Sequence, residues 1–85
     1  MRPVKIYTTD YCPFCTAAIN LLKGKDIPFE EIHLSNWEER NKLVRKTGWP
    51  TVPQIFIGDE MIGGFEELLD LEQKDQLEAK LADQT

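Results

Sequence analysis

Cys12 and Cys15 stand two residues apart, with Pro13-Phe14 between them. That spacing suits thiol-disulfide exchange: a thiolate on the first sulfur attacks a disulfide, and the second displaces the partner from the mixed disulfide. The exchange needs both sulfurs within one helical turn and the first of them exposed. The same spacing also serves as half of a metal site. Structural zinc takes four ligands, however, and the chain adds only His33 to its two cysteines, so no metal is expected. His33 itself reads as a partly buried strand residue rather than a ligand or a base.

For this chemistry a strand must deliver Cys12 to the start of a helix. Val4 to Thr8 alternates apolar and polar residues and reads as a strand, followed by a turn at Thr9-Asp10. From Pro13 the period changes, with Cys15, Ala18, Ile19 and Leu22 on one helical face and Gly24 as the stop. Pro13 suits a first helical turn, where its missing N–H costs nothing. The Cys12 sulfur then lies beside unpaired backbone N–H groups at the positive end of the helix dipole, where a thiolate is stabilised.

Ile27 to His33 reads as a second strand, and Ser35-Asn36-Trp37-Glu38 matches a capping box for a helix reaching about Thr47, with Gly48 ending it. The apolar stripe of that helix is narrow: Trp37, Leu43 and Val44. Gln54 to Ile57 and Glu60 to Ile62 flank a Gly58-Asp59 hairpin turn. Gly63-Gly64 opens a last helical region carrying Phe65, Leu68 and Leu69, then Leu77 and Leu81, with a break near Lys74-Asp75. The order β-α-β-α-β-β-α predicts an α/β fold of thioredoxin-like architecture, a four-stranded mixed sheet flanked by helices. Its first two strands should be parallel and its last two antiparallel; the order alone leaves the full strand arrangement open.

Composition narrows the function classes. The 85 residues, 41% hydrophobic and 29% charged, suit one globular domain over 1–85 with a single core. A net charge of −5, spread along the chain, argues against a nucleic-acid partner. The apolar runs are too short for a membrane span, and Met1-Arg2-Pro3 leads straight into a strand, so a cytoplasmic monomer is expected. Two cysteines are also too few for a disulfide-scaffolded secreted domain.

Three segments together resemble the glutaredoxin family, in particular its small bacterial-type dithiol members: Cys12-Pro13-Phe14-Cys15, Thr51-Val52-Pro53-Gln54-Ile55-Phe56-Ile57 and Gly63-Gly64-Phe65-Glu66. The resemblance implies an enzyme with Cys12 and Cys15 catalytic, reducing disulfide-containing or glutathionylated proteins. Glutathione is the implied electron-donating co-substrate, with no tightly bound cofactor. It further implies a cis bond before Pro53 and a glutathione site of Phe14, Arg40, Thr51, Val52, Pro53, Gly64, Phe65 and Glu66. In that site the Val52 backbone pairs with the tripeptide like a short strand. Amides after Gly63-Gly64 and the Glu66 side chain receive the γ-glutamyl end, and Arg40 the glycyl carboxylate.

This chain departs from the family pattern at three places. Glu66 stands where Asp is usual, Thr9 where Lys is common, and Trp49-Pro50 where more polar residues precede Thr51. The missing cation at Thr9 keeps open a relative reduced by thioredoxin reductase. A module holding an iron-sulfur cluster through Cys12 and glutathione is disfavoured by Pro13.

Overall fold

The computed structural model describes residues 2–82. Its elements are β1 (Val4–Thr8), α1 (Pro13–Gly24), β2 (Glu30–His33), α2 (Trp37–Thr47), β3 (Gln54–Ile57), β4 (Glu60–Gly63), α3 (Phe65–Gln73) and α4 (Leu77–Ala82). The strands lie in the order β2-β1-β3-β4. β1 runs parallel to β2 and antiparallel to β3, and β3 pairs antiparallel with β4. This is the mixed sheet flanked by helices of a thioredoxin-like fold.

Alternation along β1 sends Val4, Ile6 and Thr8 to one face, where Ile6 pairs with Ile55 and Val4 with Ile57. Ala18 and Leu22 of α1, Leu68 of α3, and Leu77 and Leu81 of α4 close over them as one buried cluster. Each such Ile or Leu contributes roughly 1.5–3 kcal/mol relative to exposure, more than a typical cap or surface ion pair. The cluster therefore sets where α1 begins relative to β3, and so where the dithiol meets the Pro53 segment. On the opposite face Tyr7 and Phe56 meet edge to face, with centroids 5.7 Å apart.

Several expected boundaries shift. β2 begins at Glu30 rather than Ile27; Ile27 instead donates its N–H to Leu22 O in the turn after α1 and buries its side chain in the core. The turn is made by Asp26 in the left-handed region (φ 55), not by Gly24, which remains helical. The cap of α2 is Asn36, not Ser35: Asn36 Oδ1 accepts from Glu39 N at 3.0 Å, and Asn36 Nδ2 donates to Glu39 Oε1 at 3.2 Å. Of the expected stripe on α2 only Leu43 is buried, while Trp37 is 72% exposed with Arg40 over its ring. The break in the last helical region, by contrast, falls where expected, at Lys74-Asp75, with Asp75 at φ 56.

The shifted cap gives a direct test. Asn36→Ala should cost about 1 kcal/mol, lowering the melting temperature by roughly 4–8 °C for a domain of this size. Ser35→Ala should leave the melt unchanged. Equal effects in calorimetry or thermal circular dichroism would argue against Asn36 as the cap.

Candidate active site

The site is assembled where β1 hands over to α1. Tyr11 adopts φ 54, a left-handed conformation costing a non-glycine residue on the order of 1–3 kcal/mol, and its side chain is fully exposed. That bend delivers Cys12 in extended conformation as the N-cap of α1, with Pro13 next in the first turn. The Cys12 sulfur accepts the Cys15 N–H at 3.2 Å, one of the amides a helix start leaves unpaired. It also lies 3.9 Å from the Val52 carbonyl oxygen.

Both thiols are free, but their surroundings differ. Cys12 is partly exposed and Cys15 is buried. Burial pushes the Cys15 thiol up to about 12, and its hydrogen bond with Cys12 and the charges of Cys12 and Glu31 act in the same direction, against a lowering contact with the Thr9 backbone. Cys15 is therefore held as the thiol at neutral pH, beneath a sulfur that can be reached from outside.

Val52-Pro53 is cis, and Pro53 is buried. Thr51, Val52 and Pro53 form one wall of a groove of about 320 Å³, within the range of small-molecule sites. Phe14, Gly64, Phe65 and Glu66 form the other side, where the Phe14 and Phe65 rings approach to 6.4 Å. Seven of the eight residues expected to bind glutathione thus line one groove. Arg40 does not: it borders a separate hollow with Thr9 and Trp37, its guanidinium 5.6 Å from the indole centroid. His33 is also not the partly buried residue expected. Its side chain is 42% exposed, and its Nε2 pairs with Asp10 Oδ1 at 2.9 Å.

Two groove residues were not among those expected to bind: Trp49, noted only as a departure from the family pattern, and Glu67. Trp49 lines the groove, its backbone carbonyl held by Gln54 Nε2 at 3.0 Å. Glu67 reaches back so that its Oε1 accepts the Gly64 N–H at 2.9 Å. Gly64-x-x-Glu67 is the spacing of a capping box, a signal that could have found Glu67. The consequence is that the Gly64 amide is already engaged, leaving the Phe65 and Glu66 amides of the first turn to face an incoming anion.

The glutaredoxin family model matches residues 4–62. The chain belongs to the glutaredoxin family. It is 46% identical to a glutaredoxin of Pseudomonas aeruginosa over 83 residues, covering 96% of this chain and 99% of the relative. Glutaredoxin 3 of Escherichia coli is 38% identical over 82 residues, covering 95% and 99%. Among solved structures, a buckwheat glutaredoxin-glutathione complex superposes with a TM-score of 0.84 at 25% identity, covering 94% of this chain and 76% of that one. Glutaredoxin 1 of Francisella tularensis in complex with cacodylate gives 0.79 at 37%, covering 88% and 96%. As a glutaredoxin the chain is a thiol-disulfide oxidoreductase. No helix among its described residues is long and apolar enough to cross a membrane.

Gly63, at the end of β4, adjoins the groove of this glutaredoxin through Gly64. Its φ is +125, and a Cβ there would stand 2.8 Å from Glu67 Cγ. Gly63→Ala should destabilise the protein by roughly 1–3 kcal/mol and loosen Glu67 from the Gly64 amide. A urea denaturation midpoint equal to that of the parent would show that the β4-α3 junction is not under this constraint.

Proposed function

We propose that this glutaredoxin acts as a single-domain cytoplasmic monomer that reduces protein disulfides and protein-glutathione mixed disulfides with electrons from glutathione. The observation that carries the reading is the accessible Cys12 sulfur at a helix N-cap, 3.9 Å from the carbonyl of Val52, which lines a groove of about 320 Å³. Cys12 attacks a substrate disulfide and retains one half as a mixed disulfide. Cys15 then attacks Cys12 Sγ, the substrate leaves as a thiol, and two glutathiones reduce the Cys12-Cys15 disulfide, forming glutathione disulfide.

In this reading the Val52 backbone pairs with the extended tripeptide. The Phe65 and Glu66 amides receive the γ-glutamyl carboxylate, and the Glu66 side chain meets its ammonium. Thr51, Pro53, Phe14 and Gly64 shape the walls. A role for Arg40 at the glycyl carboxylate requires its side chain to leave the Trp37 ring. The likeness to a glutaredoxin crystallised with glutathione supports this assignment.

The electron donor is testable directly. Glutathione with glutathione reductase and NADPH should recycle the oxidised protein. Thioredoxin reductase with NADPH should not. Turnover supported by thioredoxin reductase alone would replace the donor and tie the Thr9 departure to it.

A further inference from the structure

Beside the dithiol, a second hollow that shares no lining residue with the groove is bordered by Cys12, Cys15, Thr8, Asp10, Glu31 and His33. Glu31 is unexpected there. It pairs with Ile6 across β1 and β2, so its side chain leaves the sheet on the core-facing side, among Val4, Ile6 and Thr8. Thr8, only 2% exposed, donates its hydroxyl to Glu31 Oε2 at 2.8 Å. A buried donor thus aims a carboxylate into the hollow that Cys15 borders.

We propose that Glu31, aimed by Thr8, accepts the proton of the Cys15 thiol when Cys15 resolves a mixed disulfide on Cys12. The inference rests on the resolving role proposed above. In the step, the Cys15 S–H bond breaks and its proton passes to a Glu31 carboxylate oxygen. The Cys15 sulfur bonds to Cys12 Sγ, and the bond from Cys12 Sγ to the substrate sulfur breaks with its electron pair. The departing thiolate then takes a proton from Glu31 or solvent, so the carboxylate is regenerated and no other reagent is needed.

Such an acceptor answers a need the burial of Cys15 creates, since a thiol pushed up to about 12 supplies almost no thiolate unaided at neutral pH. Besides Cys15, the titratable groups on this hollow are Asp10, Tyr11, Cys12, Glu31 and His33; the Tyr11 side chain is fully exposed, and the Nε2 of His33 is engaged by Asp10 at 2.9 Å. A competing account is that Glu31 is an inward charge that keeps the edge strand β2 from pairing with other chains. That account leaves the rates of sulfur exchange unchanged.

The test is a double-mutant cycle between Glu31→Gln and Cys15→Ser, read on a protein disulfide and on a glutathionylated protein from pH 6 to 9. With Cys15 present, Glu31→Gln should slow reduction of the protein disulfide by about 10-fold to 100-fold near pH 7, at or below the usual range for a positioned proton acceptor because Glu31 is exposed. The deficit should close as pH rises and hydroxide substitutes for the acceptor. In the Cys15→Ser background, Glu31→Gln should add nothing on the glutathionylated substrate. Equal losses in both backgrounds, no loss in a folded Glu31→Gln protein, or the same coupling carried instead by His33→Gln would overturn the proposal. If Cys15→Ser loses nothing on the protein disulfide, the resolving role itself fails. If it does lose activity and Glu31→Gln does not, only the assignment to Glu31 fails.

Discussion

Cys12→Ser should reduce both activities, on a protein disulfide and on a glutathionylated protein, to the uncatalysed background. Every productive path begins with a sulfur-sulfur bond to the enzyme, and a serine oxygen forms none. Cys15 cannot take over. It is 3% exposed, and burial, the largest cause holding its thiol up, remains when Cys12 is replaced, so it stays a poor nucleophile at pH 7. The same burial predicts the labelling pattern. At neutral pH iodoacetamide should modify one thiol of the reduced parent protein rapidly, and the Cys12→Ser protein should react very slowly. Retained activity in Cys12→Ser, or rapid labelling of Cys15, would mean that the roles of the two sulfurs have been exchanged.

Cys15→Ser should divide the two activities. A glutathione carried on Cys12 can be removed by a second glutathione from solution, so deglutathionylation should keep the parent's order of magnitude. A protein held on Cys12 is released by the neighbouring thiol, whose effective concentration exceeds that of millimolar glutathione by orders of magnitude. Reduction of protein disulfides should therefore fall by about 100-fold or more. Covalent complexes between the variant and its protein substrate should accumulate and be visible on a non-reducing gel. A variant inactive on both substrates would show that Cys15 serves the first attack as well. One fully active on both would remove its resolving role.

The chemistry of this protein was legible in its sequence because it depends on local spacing. A strand ending in a turn, a Cys-x-x-Cys and a proline in the first helical turn place one sulfur at a helix start whatever lies elsewhere in the chain. The alternation of Val4 to Thr8, the stripe of Cys15, Ala18, Ile19 and Leu22, of which Ile19 is only partly buried, and the Gly58-Asp59 turn between β3 and β4 were equally local. They emerged with the expected partners.

Where the sequence reading slipped, two local signals competed and packing chose between them. Ser35 and Asn36 are both good caps, each with a glutamate three residues on, and the cap fell one residue later than expected. Ile27 has the residue type of a strand, yet it was drawn into the core by the turn after α1.

What only the tertiary structure decided lies between segments distant in sequence. β1 is flanked by β2 and β3 because both its edges are paired, an arrangement that the order of elements leaves open. That arrangement brings Val52 to within 3.9 Å of the Cys12 sulfur across 40 residues, and it sets Phe14 against Phe65 to close the groove. It leaves Arg40 on another hollow and turns Glu31 toward the hollow that Cys15 borders. Local spacing determines which atoms can react, since a helix start polarises its own first turn. Which side chains surround those atoms depends on strand order and register, because a sheet carries residues to a shared face irrespective of their separation along the chain.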